Sequence, residues 1–207
     1  AGLHVETAVD VDNPLLGEFE TPFGVPPFDC IELEHYVPAY EQAMKEHQEE
    51  IAQIACSEDE PTFENTVVAF DRSGKLLNRV DSVFHNLNAS TTSDEMQDVA
   101  RQMAPLLAKH VDDIYLNEKL FDRIDAFYQK RNDAGLDAEQ IRLVEEIHKD
   151  FVRGGASLPE DRKARFREIN EELSVVTLQF GENVLEEIKR FQMVVEEEED
   201  LAGLPDA

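Results

Sequence analysis

The chain has 207 residues, enough for one domain or one lobe of a larger protein, and 42% of them are hydrophobic, so a true core is expected. Its 46 acidic and 19 basic side chains give a formal charge of −27. That field repels phosphate backbones, no basic stripe offsets it, and nucleic-acid binding is not expected. No apolar run approaches the ~20 residues that span a bilayer. No basic-apolar-small leader opens the chain, although numbering from Ala1 leaves a removed upstream segment, and with it the compartment, open. The plainer reading of the charge is a solvated acidic surface; steering of cationic peptides is the functional alternative.

Residues 1–31 read as an extended arm, because Pro14, Pro22, Pro26, Pro27, Gly17 and Gly24 prevent a continuous helix. Leu15, Leu16, Phe19, Phe23, Val25 and Phe28 predict that its later part lies on the body. Helical periodicity occupies 32–190. Tyr36, Tyr40, Ala43, Met44, His47, Ile51 and Ile54 share the face of a first helix. Thr62 caps a second, striped by Phe63, Val67, Phe70, Gly74, Leu77, Val80, Phe84 and Leu87, with a break after Ser73 as the competing reading. Thr92 and Glu95 form a capping-box pair for a third, whose face is Met96, Val99, Met103, Leu106, Leu107, His110 and Ile114; Pro105 is expected to kink or divide it.

Asn117 caps a fourth helix carrying Phe121, Ile124, Phe127 and Tyr128. Asp137 starts a fifth with Ile141, Val144, Ile147 and Phe151, stopped by Gly154-Gly155. Ser157, Pro159 and Glu160 supply an N-cap, a first-turn proline and a capping-box acid for a long sixth, on which Phe166, Ile169, Leu173, Val176, Phe180, Val184 and Ile188 share a face. Over 191–207 a short strand at 191–195 precedes an acidic run, Glu196 to Asp200, and the opening of a further helix at Leu201–Pro205. A lone strand cannot satisfy its own backbone groups, so its partner is expected in a longer protein. The fold class is mainly α: about six helices in an antiparallel, bundle-like lobe with an extended N-terminal arm.

Zinc peptidases place two histidines one helical turn apart with a glutamate between them to activate water. The histidines stand at 4, 35, 47, 85, 110 and 148, so His-Glu-x-x-His is absent, as are a phosphate-binding loop and a nucleophile elbow. Glu32/His35 and Glu145/His148 have the Glu-x-x-His spacing of di-iron carboxylate bundles. Against that reading, the first pair falls at a helix start, the second sits between Glu146 and Lys149, and an acidic chain produces such pairs by chance. His47 and His110, on apolar faces, are expected to be packed and hydrogen-bonded rather than ligands. His85 is expected at a helix end, capping or facing solvent. Tyr36, Tyr40, Tyr115 and Tyr128 fit either a peptide channel or plain burial, and Asn88-Ala-Ser90 is a short sequon match. Cys30 and Cys56 lack Cys-x-x-Cys spacing and read as separate thiols, with a bridge between them undecided.

Several stretches together resemble the thimet oligopeptidase-like zinc metallopeptidases, and within them the peptidyl-dipeptidase branch. They include Pro-Pro-Phe-Asp29, Glu-His-Tyr36, Pro-Thr-Phe-Glu-Asn-Thr66, Ser-Gly-Lys-Leu-Leu-Asn-Arg-Val80 and Val-Phe-His-Asn-Leu-Asn88. Ile-Tyr-Leu-Asn117, Phe-Val-Arg-Gly-Gly-Ala156, Glu-Ile-Asn-Glu-Glu-Leu-Ser174, Gln-Phe-Gly181 and Asp-Leu-Ala-Gly-Leu-Pro205 continue the series in order. The resemblance implies a helical, two-lobed enzyme whose zinc lies in a deep channel and which removes dipeptides from the carboxyl ends of short peptides. It implies no catalytic, cofactor-binding or metal-binding residue in this chain, since the zinc motif lies downstream of residue 207 in that family. The chain then corresponds to part of the channel wall and is expected to be inactive alone, meeting peptide substrates only through the absent catalytic region. The other readings are a stand-alone acidic helical binding module and, last, the di-iron bundle. Oligomeric state is not written in these residues.

Overall fold

The computed structural model describes residues 13–195, 202 and 203. Six long helices follow a short entry segment: α1 (Tyr36–Ala55), α2 (Lys75–Thr91), α3 (Asp94–Tyr115), α4 (Glu118–Lys130), α5 (Ala138–Arg153) and α6 (Glu160–Arg190). The fold is mainly α, as the periodicity predicts. Residues 191–195 have no regular structure, and no strand occurs among the described residues, so the strand reading of this stretch is corrected. The chain leaves α6 with extended torsions at Phe191, but no strand among the described residues pairs with it. The acidic run 196–200 and most of the helix opening at 201–205 lie outside the described residues, as do residues 1–12 of the arm.

Local sequence explains most helix ends. Thr62 and Asn65 bond reciprocally, Thr62 N–H to Asn65 Oδ1 at 2.8 Å and Asn65 N–H to Thr62 Oγ1 at 3.1 Å. They open a π-helical segment, Phe63–Val68, that continues into a single turn, Ala69–Asp71. Asn117 and Asp137 cap α4 and α5 as expected. At the end of α5, Ala156 N–H reaches the Phe151 carbonyl at 3.0 Å and Gly155 N–H the Val152 carbonyl at 3.2 Å, with Gly155 at φ +93°. That is the double bond pattern of a left-handed glycine terminus, and it buries Ala156 beside Phe151.

Two expectations are corrected and two are met only in part. The cap of α3 is Ser93, not Thr92: Ser93 Oγ accepts from Met96 N–H, while the Thr92 hydroxyl turns back to Asn88. Pro159 occupies the cap position of α6, with no capping side chain, because the tight Gly155–Leu158 turn places Ser157 outside the helix. Of the two outcomes expected at Pro105, division does not occur: α3 runs unbroken from Asp94 to Tyr115, held by apolar packing at both ends despite the lost backbone bond. His85 lies within α2 rather than at its end, but it faces solvent as expected, its ring bonding the carbonyl of Asp81.

The competing reading of the second helix holds. The segment Phe63–Asp71 and α2 are separated by Arg72–Gly74, and Gly74 adopts φ +69°. Val67 therefore packs in one apolar cluster and Val80 and Phe84 in another. The first cluster joins Leu15 of the entry segment to Tyr36, Ala39, Tyr40 and Ala43 of α1, the centre of α2, and Met96–Met103 of α3. The second joins the end of α1 and Ile114 of α3 to α4, α5 and the π-helical segment. Pairings give the directions. Tyr40 bonds Asp81 while His47 meets Gly74, so α2 runs antiparallel to α1. Glu145 pairs with Arg131 and His148 with Asp125, so α5 runs antiparallel to α4. Asn170 meets Asp112 and Glu182 meets Arg101, so α6 runs antiparallel to α3.

The described part of the entry segment touches the body at Leu15, Leu16 and Phe19 and again at Ile31. Leu15 is fully buried, Asn13 donates to the His35 carbonyl, and the Arg79 guanidinium binds the carbonyls of Leu15 and Leu16 while lying over the Phe19 ring. Phe23, Val25 and Phe28 are exposed instead.

Candidate functional site

Between the two apolar clusters lies a polar layer carried by α1, α3 and the break at 72–74. His110 of α3 is only 3% exposed, and its Nε2 lies 3.0 Å from Nδ1 of His47 on α1. The other nitrogen of His47, Nε2, lies 3.1 Å from Ser73 Oγ, and that hydroxyl donates to the Phe70 carbonyl at 2.7 Å. The tautomers follow from the acceptor at the end. Ser73 gives its only proton to a carbonyl, so it accepts from His47 Nε2–H. His47 Nδ1 is then a bare acceptor, and His110 Nε2–H must donate to it. This leaves His110 Nδ1 without a proton, and it is buried with no partner.

Burial is the first cause that drives both imidazoles toward the neutral state, and for His110 the neighbouring His47 ring acts in the same direction. Together they push His110 down to about 4. A charged His110 would bring a second N–H into a place with no acceptor. Both rings as expected are packed and hydrogen-bonded rather than free. Two further contacts pin the break: Glu50 Oε2 accepts from Gly74 N–H at 2.7 Å, and a Cβ on Gly74 would come within 2.7 Å of the His47 ring. The close approach and the left-handed torsion both require glycine.

Chemically, this relay runs ring to ring to hydroxyl and stops on a backbone carbonyl, which takes no proton. It orients the break rather than activating a nucleophile. An open groove of about 450 Å³ borders it, lined by Glu50, Gln53, Ser57, Asn65, Arg72 and Ser73 among others. The donor set does not suit zinc. Both His47 nitrogens are engaged, Glu50 is spent on Gly74, and among the described residues no group of three or more His, Cys, Asp or Glu side chains converges.

The other candidate residues are dispersed. Glu32 and His35 close a short turn before α1, with Glu32 N–H donating to His35 Nδ1. Glu145 binds Arg131, whereas His148 binds Asp125 and stacks on Tyr128, so the two Glu-x-x-His pairs build no shared site. Tyr36 and Tyr40 are buried against Phe84, while Tyr115 and Tyr128 are half-buried. Cys30 and Cys56 are both exposed and unbridged, and the amide oxygen of Asn88 in the sequon accepts from Thr92. His4 lies outside the described residues.

Three buried charges escaped the sequence reading. Arg123 of α4 donates to the carbonyls of Ser57 and Asp59, both at 2.8 Å, holding the loop after α1. Asp112 of α3 accepts from Asn170 of α6 at 2.6 Å, and burial raises its carboxyl above the usual range. Lys163 is buried between Glu118 and Glu160. The spacing of Asp112 within the α3 stripe, two residues from both His110 and Ile114, gives no sign of burial, because its partner is 58 positions away.

No protein-family model matches the chain. It is 43% identical over 192 residues to dipeptidyl carboxypeptidase of Escherichia coli, an alignment covering 93% of this chain and 28% of that protein. It is 30% identical over 195 residues to oligopeptidase A of the same organism, covering 94% and 28% respectively. A thimet-like oligopeptidase of Dictyostelium discoideum is 23% identical over 177 residues, covering 84% and 26%. The chain thus spans little more than a quarter of the length of these relatives.

Proposed function

We propose, from the premise that the chain is the N-terminal region of a thimet-like peptidase, that it is a non-catalytic helical lobe walling the substrate channel of a zinc-dependent peptidyl-dipeptidase. One observation carries the reading: similarity to peptidases runs through 93% of a chain that contains no His-Glu-x-x-His. Within it, the entry segment up to residue 31 serves as a clasp, 32–190 as the helical unit, and 191–207 as the lead into the catalytic region. Zinc would be held outside these residues. Helices that only shape a cavity need rigidity and satisfied polar groups rather than ligands. The cross-braced layer at His47, His110 and Ser73 meets that demand.

The substrates are short peptides that lose C-terminal dipeptides. The test is a cleavage assay with product lengths read by mass spectrometry. The full-length polypeptide should release dipeptides from the carboxyl end and lose that activity with a chelator, while the 207-residue chain should cleave nothing even with added zinc. Zinc-restored cleavage by the 207-residue chain, or chelator-resistant cleavage by the full-length polypeptide, would refute the proposal.

A further inference from the structure

The face of α6 turned away from α3 is apolar along most of its length. Ile169, Leu173, Val176, Phe180 and Ile188 recur at helical spacing and are exposed, Phe180 by 70%. The helix is not loosely placed: Asn170 bonds Asp112, Glu182 pairs with Arg101, and Leu178 packs on the first cluster, so the opposite face is the one held against the body. From Ile169 to Ile188 the stripe runs about 28 Å at 1.5 Å per residue. It continues into Phe191, Met193 and Val194, which are exposed where the chain leaves the helix. Glu168, Glu172 and Glu186 flank it.

We propose that this face docks the part of the same polypeptide that follows this chain, and that the docked surface has an apolar centre and a basic rim. The proposal rests on the reading of the chain as one region of a longer peptidase. Two observations select that occupant. The stripe is continuous with the segment that exits toward the carboxyl end, and the chain spans only 28% of the length of the relatives it matches. Large contiguous apolar surfaces are uncommon on a free monomer and mark contact sites, and the acidic flanks call for complementary charge.

The test uses the full-length polypeptide without substrate, so a failure of the peptidase assignment leaves it readable. Phe180→Cys should react with a bulky maleimide at least about tenfold more slowly than Gln129→Cys on the exposed face of α4, with modification read at each peptide by mass spectrometry. The double variant Leu173→Lys/Phe180→Lys should lower Tm by several degrees, whereas Phe180→Leu should leave it near wild type. Equal labelling rates, or an unchanged Tm in the double variant, would overturn the proposal. So would sedimentation showing that the double variant splits a dimer into monomers, since the occupant would then be a second copy.

Discussion

Helices α5 and α6 both carry a stripe of large apolar residues at helical spacing, yet the two stripes meet opposite fates. On α5, Val144, Ile147 and Phe151 point into the second cluster, where Phe151 is fully buried among Phe70, Tyr115 and Phe121. On α6, Phe180 is 70% exposed, and the residues that meet the body include Lys163, Asn170 and Glu182. Amphipathicity states that a helix has a face to bury, but not what covers it. In this molecule α5 is covered by its own neighbours, while α6 is tied down by polar side chains and keeps its apolar face outward.

The sharpest way to break the comparison is to truncate one phenylalanine from each helix in the 207-residue chain. Phe151→Ala should cost about 3–5 kcal/mol in urea unfolding, because it leaves a cavity in a filled cluster. Phe180→Ala should stay within about 0.5 kcal/mol of wild type. A comparable loss in both would mean that α6 buries its stripe after all.

Next in size is the pinned break on which the two clusters hinge. Gly74→Ala must hold φ +69° and push a methyl group into the His47 ring, so a loss of about 2–3 kcal/mol is expected by chemical denaturation. Gly181→Ala on α6, where a Cβ meets open space, should be neutral or slightly stabilising.

The buried histidine adds a pH dependence of its own. His110 is pushed from 6.5 to about 4 in the folded protein, so between those values the unfolded chain binds its proton first. Its contribution is therefore complete above about 6.5 and is lost as pH falls toward 4, on the order of 3 kcal/mol in all. Comparing unfolding midpoints at pH 7 and pH 5, His110→Gln should show a clearly shallower fall than wild type. An identical fall in both would remove His110 as its source.

The smallest effect concerns the helix cap. Ser93→Ala should cost about 1 kcal/mol, since it frees Met96 N–H, and Thr92→Ala should cost less. The reverse order, measured by thermal unfolding, would restore Thr92 as the cap.

Much of the fold was legible before the structure. The 3.6-residue period of α1 and α5, the Thr62, Asn117 and Asp137 caps and the Gly154-Gly155 stop all depend on groups within a few residues of one another. The same locality made His47 and His110 readable as packed histidines. Ser93 was missed beside an equally good cap because hydroxyls one residue apart differ only in backbone torsion, which neighbouring turns decide. The strand at 191–195 failed for a related reason: apolar spacing suggests extended backbone, but a strand exists only through its partner.

By itself, the sequence of this protein determined which side chains share a helix face, where most helices begin and end, and that no zinc motif is present. Those are consequences of short-range geometry and composition. Only the tertiary structure decided that His47 and His110 meet Ser73, that Arg123, Asp112 and Lys163 are buried, and that the α6 stripe turns outward. Each depends on which of two helix faces finds a neighbour, a long-range packing outcome that periodicity along one helix does not encode.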